Sequence, residues 1–231
     1  PFYAEGGGQI GDSGTLDSNI NIFNTIKEND TIIHLMDSLP KDLTKTFKLS
    51  VNKSKRLSSS SNHTATHLLH QALRSVLGDH VQQKGSMVSD KYLRFDFSHF
   101  SKLSEIDLEN VENFVNKKII DHLELEENRN SSFQDCIDDG VIALFGEKYG
   151  DVVRSIRFGE SHELCGGTHV KNTSEIRSFI IKSESAISTG IRRIEAISGD
   201  KAVDYLMKQA KTLKEVSKIV LNDKDPISAL N

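Results

Sequence analysis

The stretch from Ser58 to Gly78, SSSSNHTATHLLHQALRSVLG, constrains this chain more than any other. Its spacing predicts one helix that carries His63 and His67 four residues apart. Two imidazoles at that spacing leave the same helix face, separated by about 6 Å of rise, so both rings can reach one metal ion. Leu68, Leu69, Ala72, Leu73, Val76 and Leu77 form its apolar side, and Gly78 is a natural stop. Roughly a hundred residues later the chain offers a matching pair, Cys165 and His169, in CGGTH.

Zn²⁺ takes nitrogen and sulfur ligands in tetrahedral geometry. HxxxH on a helix supplies two nitrogens at fixed spacing, and CxxxH around two glycines supplies a sulfur and a nitrogen from a loop able to wrap an ion. Each motif alone is weak. Together, in a chain with only 2 cysteines, they make a metal site at His63, His67, Cys165 and His169 the stronger reading. The competing reading is a core helix with a buried histidine pair and an unrelated thiol. His70, seven residues after His63, shares its face and ranks below the four, as do His99 and His162. Thr64 stands where the zinc-protease motif HExxH has its glutamate, which argues against a protease of that type. Four protein ligands do not by themselves decide between a structural and a catalytic ion.

Composition narrows the class. At 231 residues the chain can bury one large core or two small ones. Hydrophobic residues make up 36% and the mean hydropathy is -0.40, with no apolar run of membrane-spanning length. Two cysteines without a disulfide framework favour a reducing, cytoplasmic setting. The net charge of -4 makes any nucleic-acid contact a matter of local patches, for which Arg192 and Arg193 are candidates beside Lys53, Lys55 and Arg56. The first residues, PFYAEGGGQ, lack an initiator Met and a signal peptide, which suggests a fragment or a processed product.

The remaining patterning predicts an α+β fold. Residues 1–52 read as a β-rich, barrel-like subdomain: NINIFNTI and TIIHLMDSL form a hairpin around KEND, and TFKLSVN is a third strand. The Gly6–Gly8 run lacks the lysine and strand–loop–helix context of a phosphate loop, so a tight turn near a small ligand or a β-bulge remains. Residues 53–199 form the core, an antiparallel sheet packed with helices. HVQQKGSMV and YLRFDFSHF are strands, a helix opens at Ser104 with Asp107 as a weakened capping box and ends near Glu127, and 128–150 is irregular or a short helix. VVRSIRFG, IRSFIIKSESA and GIRRIEAIS supply further strands. From Asp200 a 3-4 spacing through Val203, Leu206, Ala210, Leu213 and Val220 predicts the start of a helical connector over 200–231.

PFYAEGGGQIGD, HTATHLLHQAL, QKGSMV, ELCGGTHV and GIRRIEA, in that order and spacing, resemble the editing region of the alanyl-tRNA synthetase family from Pro1 to about Gly199. Threonyl-tRNA synthetases share a related editing fold, but the glycine motif and GIRRIEA favour the alanyl type. The resemblance implies hydrolysis of tRNA(Ala) mischarged with serine or glycine, within a parent enzyme that joins alanine to tRNA(Ala) using ATP. It implies one Zn²⁺ per chain on His63, His67, Cys165 and His169, with His63 and His67 at the reacting centre and Gln83 facing the aminoacyl group or water. Gly6, Gly7, Gly8 and Gln9 would shape a small pocket beside the ion, and Arg192 and Arg193 would hold phosphates of the acceptor end, with a structural ion pair as the alternative role for one of the two. Self-association through the C-terminal helical segment is a further implication. The alternatives are a free-standing alanyl-tRNA editing protein and a non-catalytic zinc-stabilised tRNA-binding module.

Overall fold

The computed structural model describes residues 2–144 and 149–219. In chain order the elements are β1 (Gly14–Leu16), β2 (Ile20–Glu28), β3 (Thr31–Met36), β4 (Leu49–Val51), α1 (Lys53–Leu77), β5 (Gln83–Val88), β6 (Leu93–Ser98) and α2 (Glu105–Ile120). They continue with β7 (Glu126–Ser132), α3 (Phe133–Asp138), β8 (Val152–Phe158), β9 (Ser161–Leu164), a 3₁₀ turn at Thr173–Ile176, β10 (Phe179–Ser188), β11 (Ile191–Ser198) and α4 (Gly199–Ile219). The class is α+β, as the patterning predicts. The described strands form three sheets, ordered β3-β2-β1-β4, β10-β11-β6-β5 and β7-β8-β9, and every strand pairing within them is antiparallel.

The N-terminal strands stay an open sheet and do not close as a barrel, because β3 and β4 are both edges of the order β3-β2-β1-β4. The predicted hairpin turns at Asn29 and Asp30, both with positive φ, which matches the right-handed twist of its strands. α1 starts at Lys53, five residues before the predicted stretch, because the Asn52 side chain accepts from Lys55 N–H and caps it. α2 opens with a full capping box at Ser104 and Asp107, but it stops at Ile120 and not near Glu127. His122 turns into positive φ there, and Glu126 onward pairs with β8. The stretch read as irregular therefore holds the end of a strand and the short α3. Residues 145–148 of that stretch, and Val220 of the predicted C-terminal helix, lie outside the described residues.

The main core lies between α1, α2 and the β10-β11-β6-β5 sheet. Leu68, Leu69, Ala72 and Leu73 of α1 pack in one cluster with Phe95 and Phe97 of β6 and with Val111 and Val115 of α2. Each buried aliphatic side chain in such a cluster contributes about 1.5–3 kcal/mol through removal from water. The stretch of α1 just before Leu68 is buried yet polar: Ser59 through Thr64, Thr66 and His67 are all buried. A run of buried polar side chains on one helix needs partners; Ser60 and Thr64 find theirs on Thr168, His169 and Val170, Asn62 on Ser89 and Ser198, and His63 on Gln9.

Candidate metal centre

β8 and β9 deliver Cys165 to α1. Arg154 of β8 donates through Nη1 to the carbonyls of Cys165 at 2.9 Å and Gly167 at 2.6 Å, and through Nε to Glu127. That fork holds the loop against the helix. A Cβ on Gly167 would lie 2.0 Å from Cε1 of His63, so only glycine lets the loop come this close. His63, His67 and His169 then face one another with ring centroids 4.5–5.3 Å apart. Cys165 Sγ lies 3.4 Å from His63 Nε2 and 3.3 Å from His169 Nε2. One ligand atom from each of His63, His67, Cys165 and His169 lies within 4.8 Å of all the others, the one such group among the described residues.

The geometry fits a tetrahedral ion. With Zn–S near 2.3 Å and Zn–N near 2.05 Å, sulfur and nitrogen stand about 3.6 Å apart, close to the 3.4 and 3.3 Å from Cys165 Sγ to His63 and His169, within a donor set that spreads up to 4.8 Å. Two rings are also held from behind, as metal-binding imidazoles are. His63 Nδ1 lies 2.7 Å from Gln9 Oε1, and His169 Nδ1 lies 3.1 Å from Thr64 Oγ1, which also accepts from Val170 N–H. Thr64, the residue that argues against a protease, thus supports a ligand. His67 is flanked by Glu163, with Nε2 3.6 Å from one carboxylate oxygen, and His70 Nδ1 is 2.9 Å from the other. His70 therefore stands one shell outside the group.

Burial and the neighbouring charges shift the members of the group in opposite directions. Burial alone would raise the Cys165 thiol, but His63, His169 and His67 overcome it and hold the thiol well below its usual range. Burial, helped by His63 and opposed by the thiolate, lowers His169 to about 3, which leaves its ring nitrogen free. Burial pulls His67 down as well, but Glu163 and Cys165 outweigh it and push it up to about 9. Glu163 is held below the usual carboxylate range by His67 and His70 against the opposing effect of burial.

The group lies at one side of a cavity of about 400 Å³ whose lining includes His63, His67, Cys165, Gly6, Gly7 and Gln83. Gln83 Nε2 is 3.3 Å from Ser86 Oγ on the same wall. Gly8 and Gln9 are absent from that lining, and Gln9 lies wholly buried behind His63. The arginines are elsewhere: Arg192 pairs with Glu184, and Arg193 forms a two-pronged pair with Asp96 at 2.6 and 2.8 Å. His99 sits 3.0 Å from His80, and His162 borders a separate hollow beside Cys136. Sequence reasoning missed Glu163 and Arg154, whose only signal was a position on the strands that lead to CGGTH, and Thr168, which lies within that motif between the two ligands.

Residues 153–195, which include Cys165 and His169, match the family model described as the threonyl and alanyl tRNA synthetase second additional domain. Over its whole length the chain is 58% identical to the alanine-tRNA ligase of Christiangramia forsetii and 50% identical to that of Flavobacterium psychrophilum. The chain is homologous to a segment of the alanine-tRNA ligases. It spans 27% of the length of each of these relatives, and the same share of the Porphyromonas gingivalis alanine-tRNA ligase, to which it is 47% identical. No described helix of the segment is long and apolar enough to cross a membrane.

Proposed function

We propose that this segment is the editing module of an alanine-tRNA ligase and hydrolyses tRNA(Ala) mischarged with serine or glycine. The parent enzyme, on this reading, joins alanine to tRNA(Ala) using ATP in the cytoplasm. One observation carries the proposal: four metal-ligating groups converge beside a cavity whose wall includes the uncharged polar side chain of Gln83. One Zn²⁺ per chain, held by His63, His67, Cys165 and His169, would supply a Lewis acid that orients an ester or lowers the pKa of water.

The chain's own residues do the rest. The ester to the terminal ribose is already activated, so positioning it beside a water accounts for much of the required rate. Gly6 and Gly7 form a wall without side chains, which leaves room for the aminoacyl group and its ribose. Gln83 reaches the same space and can accept from or donate to the serine hydroxyl or the attacking water. Alanine lacks the hydroxyl and would leave that amide unpaired, so the site acts as a second sieve for what a first site accepts in error. The acceptor end of tRNA(Ala) is the partner, and self-association would involve the helical segment that α4 begins.

Purified protein incubated with Ser-, Gly- and Ala-tRNA(Ala) in parallel tests the reading. Release of serine and glycine well above the spontaneous rate, with alanine spared, is expected. Serine release at the spontaneous rate with zinc bound would sink it in favour of a zinc-stabilised tRNA-binding module.

A further inference from the structure

Gln9 belongs to the N-terminal glycine segment, yet its side chain is wholly buried and faces away from the cavity. Its Oε1 lies 2.7 Å from His63 Nδ1 and accepts from the Thr168 N–H at 2.9 Å, while its Nε2 donates to Thr168 Oγ1 at 2.9 Å. An amide oxygen has two acceptor sites and no hydrogen to give. Both sites are taken, so the hydrogen of the His63 ring must sit on Nδ1. Nε2, 3.4 Å from Cys165 Sγ, then keeps its lone pair for a metal. The reversed amide would set an NH₂ against the Thr168 N–H, two donors face to face, so the network fixes the amide as well.

The main chain around Gln9 is pinned too. Gly6 and Gln9 exchange both backbone hydrogen bonds at 3.1 and 3.0 Å. Val88 N–H donates to Gly8 O at 2.8 Å, and Ile10 N–H to Val88 O at 3.0 Å, which ties the segment to β5. Gly8 has φ +78°, and a Cβ there would lie 2.4 Å from Ser86 Oγ, so the approach needs glycine. The same strand that carries Gln83 thereby anchors the residue behind His63.

We infer that Gln9 is a positioning residue for the metal centre: it latches His63 and the Thr168 end of the CGGTH loop together, fixes the His63 tautomer, and so sets metal affinity from a segment that supplies no ligand. This rests on the reading of the four groups as a metal site and is independent of what ester the protein hydrolyses.

The test uses the full chain stripped with a chelator, with Zn²⁺ affinity measured by chelator competition and ligand geometry by the visible absorption of bound Co²⁺. Gln9→Leu removes both acceptor sites. It should weaken Zn²⁺ by about 10–100-fold and alter the Co²⁺ absorption. Gln9→Glu keeps an acceptor for both N–H groups and should recover most of the affinity. If Gln9→Leu binds Zn²⁺ like the parent, with an unchanged Co²⁺ spectrum, the inference is overturned, whether the variant lowers the melting temperature (a packing role) or slows hydrolysis (a substrate contact). Should Gln9→Leu fail to fold, Gln9→Asn against Gln9→Glu decides, since Asn keeps the amide but not the reach. Asn binding as tightly as Glu would refute the latch. Loss of serine release in the parent chain would strike the editing proposal alone, because these affinities do not depend on it.

Discussion

Two successive stretches of α1, Ser59–His67 and Leu68–Leu73, are both buried and are held by different forces. Leu68 to Leu73 sit in an apolar cluster against β6 and α2. Ser59 to His67 sit among hydrogen bonds to distant chain: Ser60 to Thr168, Asn62 to Ser89 and Ser198, Thr64 to Val170 and His169. An apolar contact is non-directional and tolerates exchange of similar volumes, whereas a buried hydrogen bond costs its full desolvation when one partner goes. The apolar stretch therefore anchors the fold, and the polar stretch fixes where three rings and a sulfur point.

Four variants would break or sharpen that contrast. The largest effect belongs to the ligands. Cys165→Ala with His169→Ala should drop bound zinc from about one per chain to below about 0.1 by metal analysis. Full retention would mean that other residues hold the ion. Leu69→Ala, in the apolar stretch, should cost about 2–5 kcal/mol in denaturant unfolding yet leave metal affinity intact in the folded protein. A change in metal affinity as large as that of a ligand variant would show that the two stretches are not separable. Gln83→Ala should slow serine release by about 10–100-fold with zinc retained, and unchanged turnover would remove it from the site. The smallest effect is expected of Arg192→Gln, about twofold at most in KM for charged tRNA, because Glu184 already occupies that guanidinium. A rise in KM of tenfold or more would return Arg192 to the phosphate-binding role that the family resemblance implies.

The legibility of this protein follows the range of its interactions. The hairpin turn at Asn29 and Asp30, the capping box at Ser104 and Asp107 and the apolar stripe of α1 were readable because each is decided within a few residues. The end of α2 was misplaced because its helical pattern runs on past Ile120, while pairing with β8 claims the residues from Glu126. For the centre, HxxxH and CxxxH announced four ligand types at two local spacings. Their outer partners Gln9, Thr64 and Glu163 carry no such spacing, being brought in from 54 and 105 residues away in the first two cases. The arginines of GIRRIEA looked available in sequence, and only strand pairing revealed Asp96 and Glu184 beside them.

By itself the sequence determined the donor set, the helix that presents two of its members and the glycines that allow close approach, since residue type and short-range spacing are enough for these. The tertiary structure alone decided that the two halves of the donor set meet, which side of each ring faces inward and what stands behind it. Those depend on hydrogen bonds between segments far apart in the chain, and a buried donor or acceptor finds its partner only once the fold has closed around it.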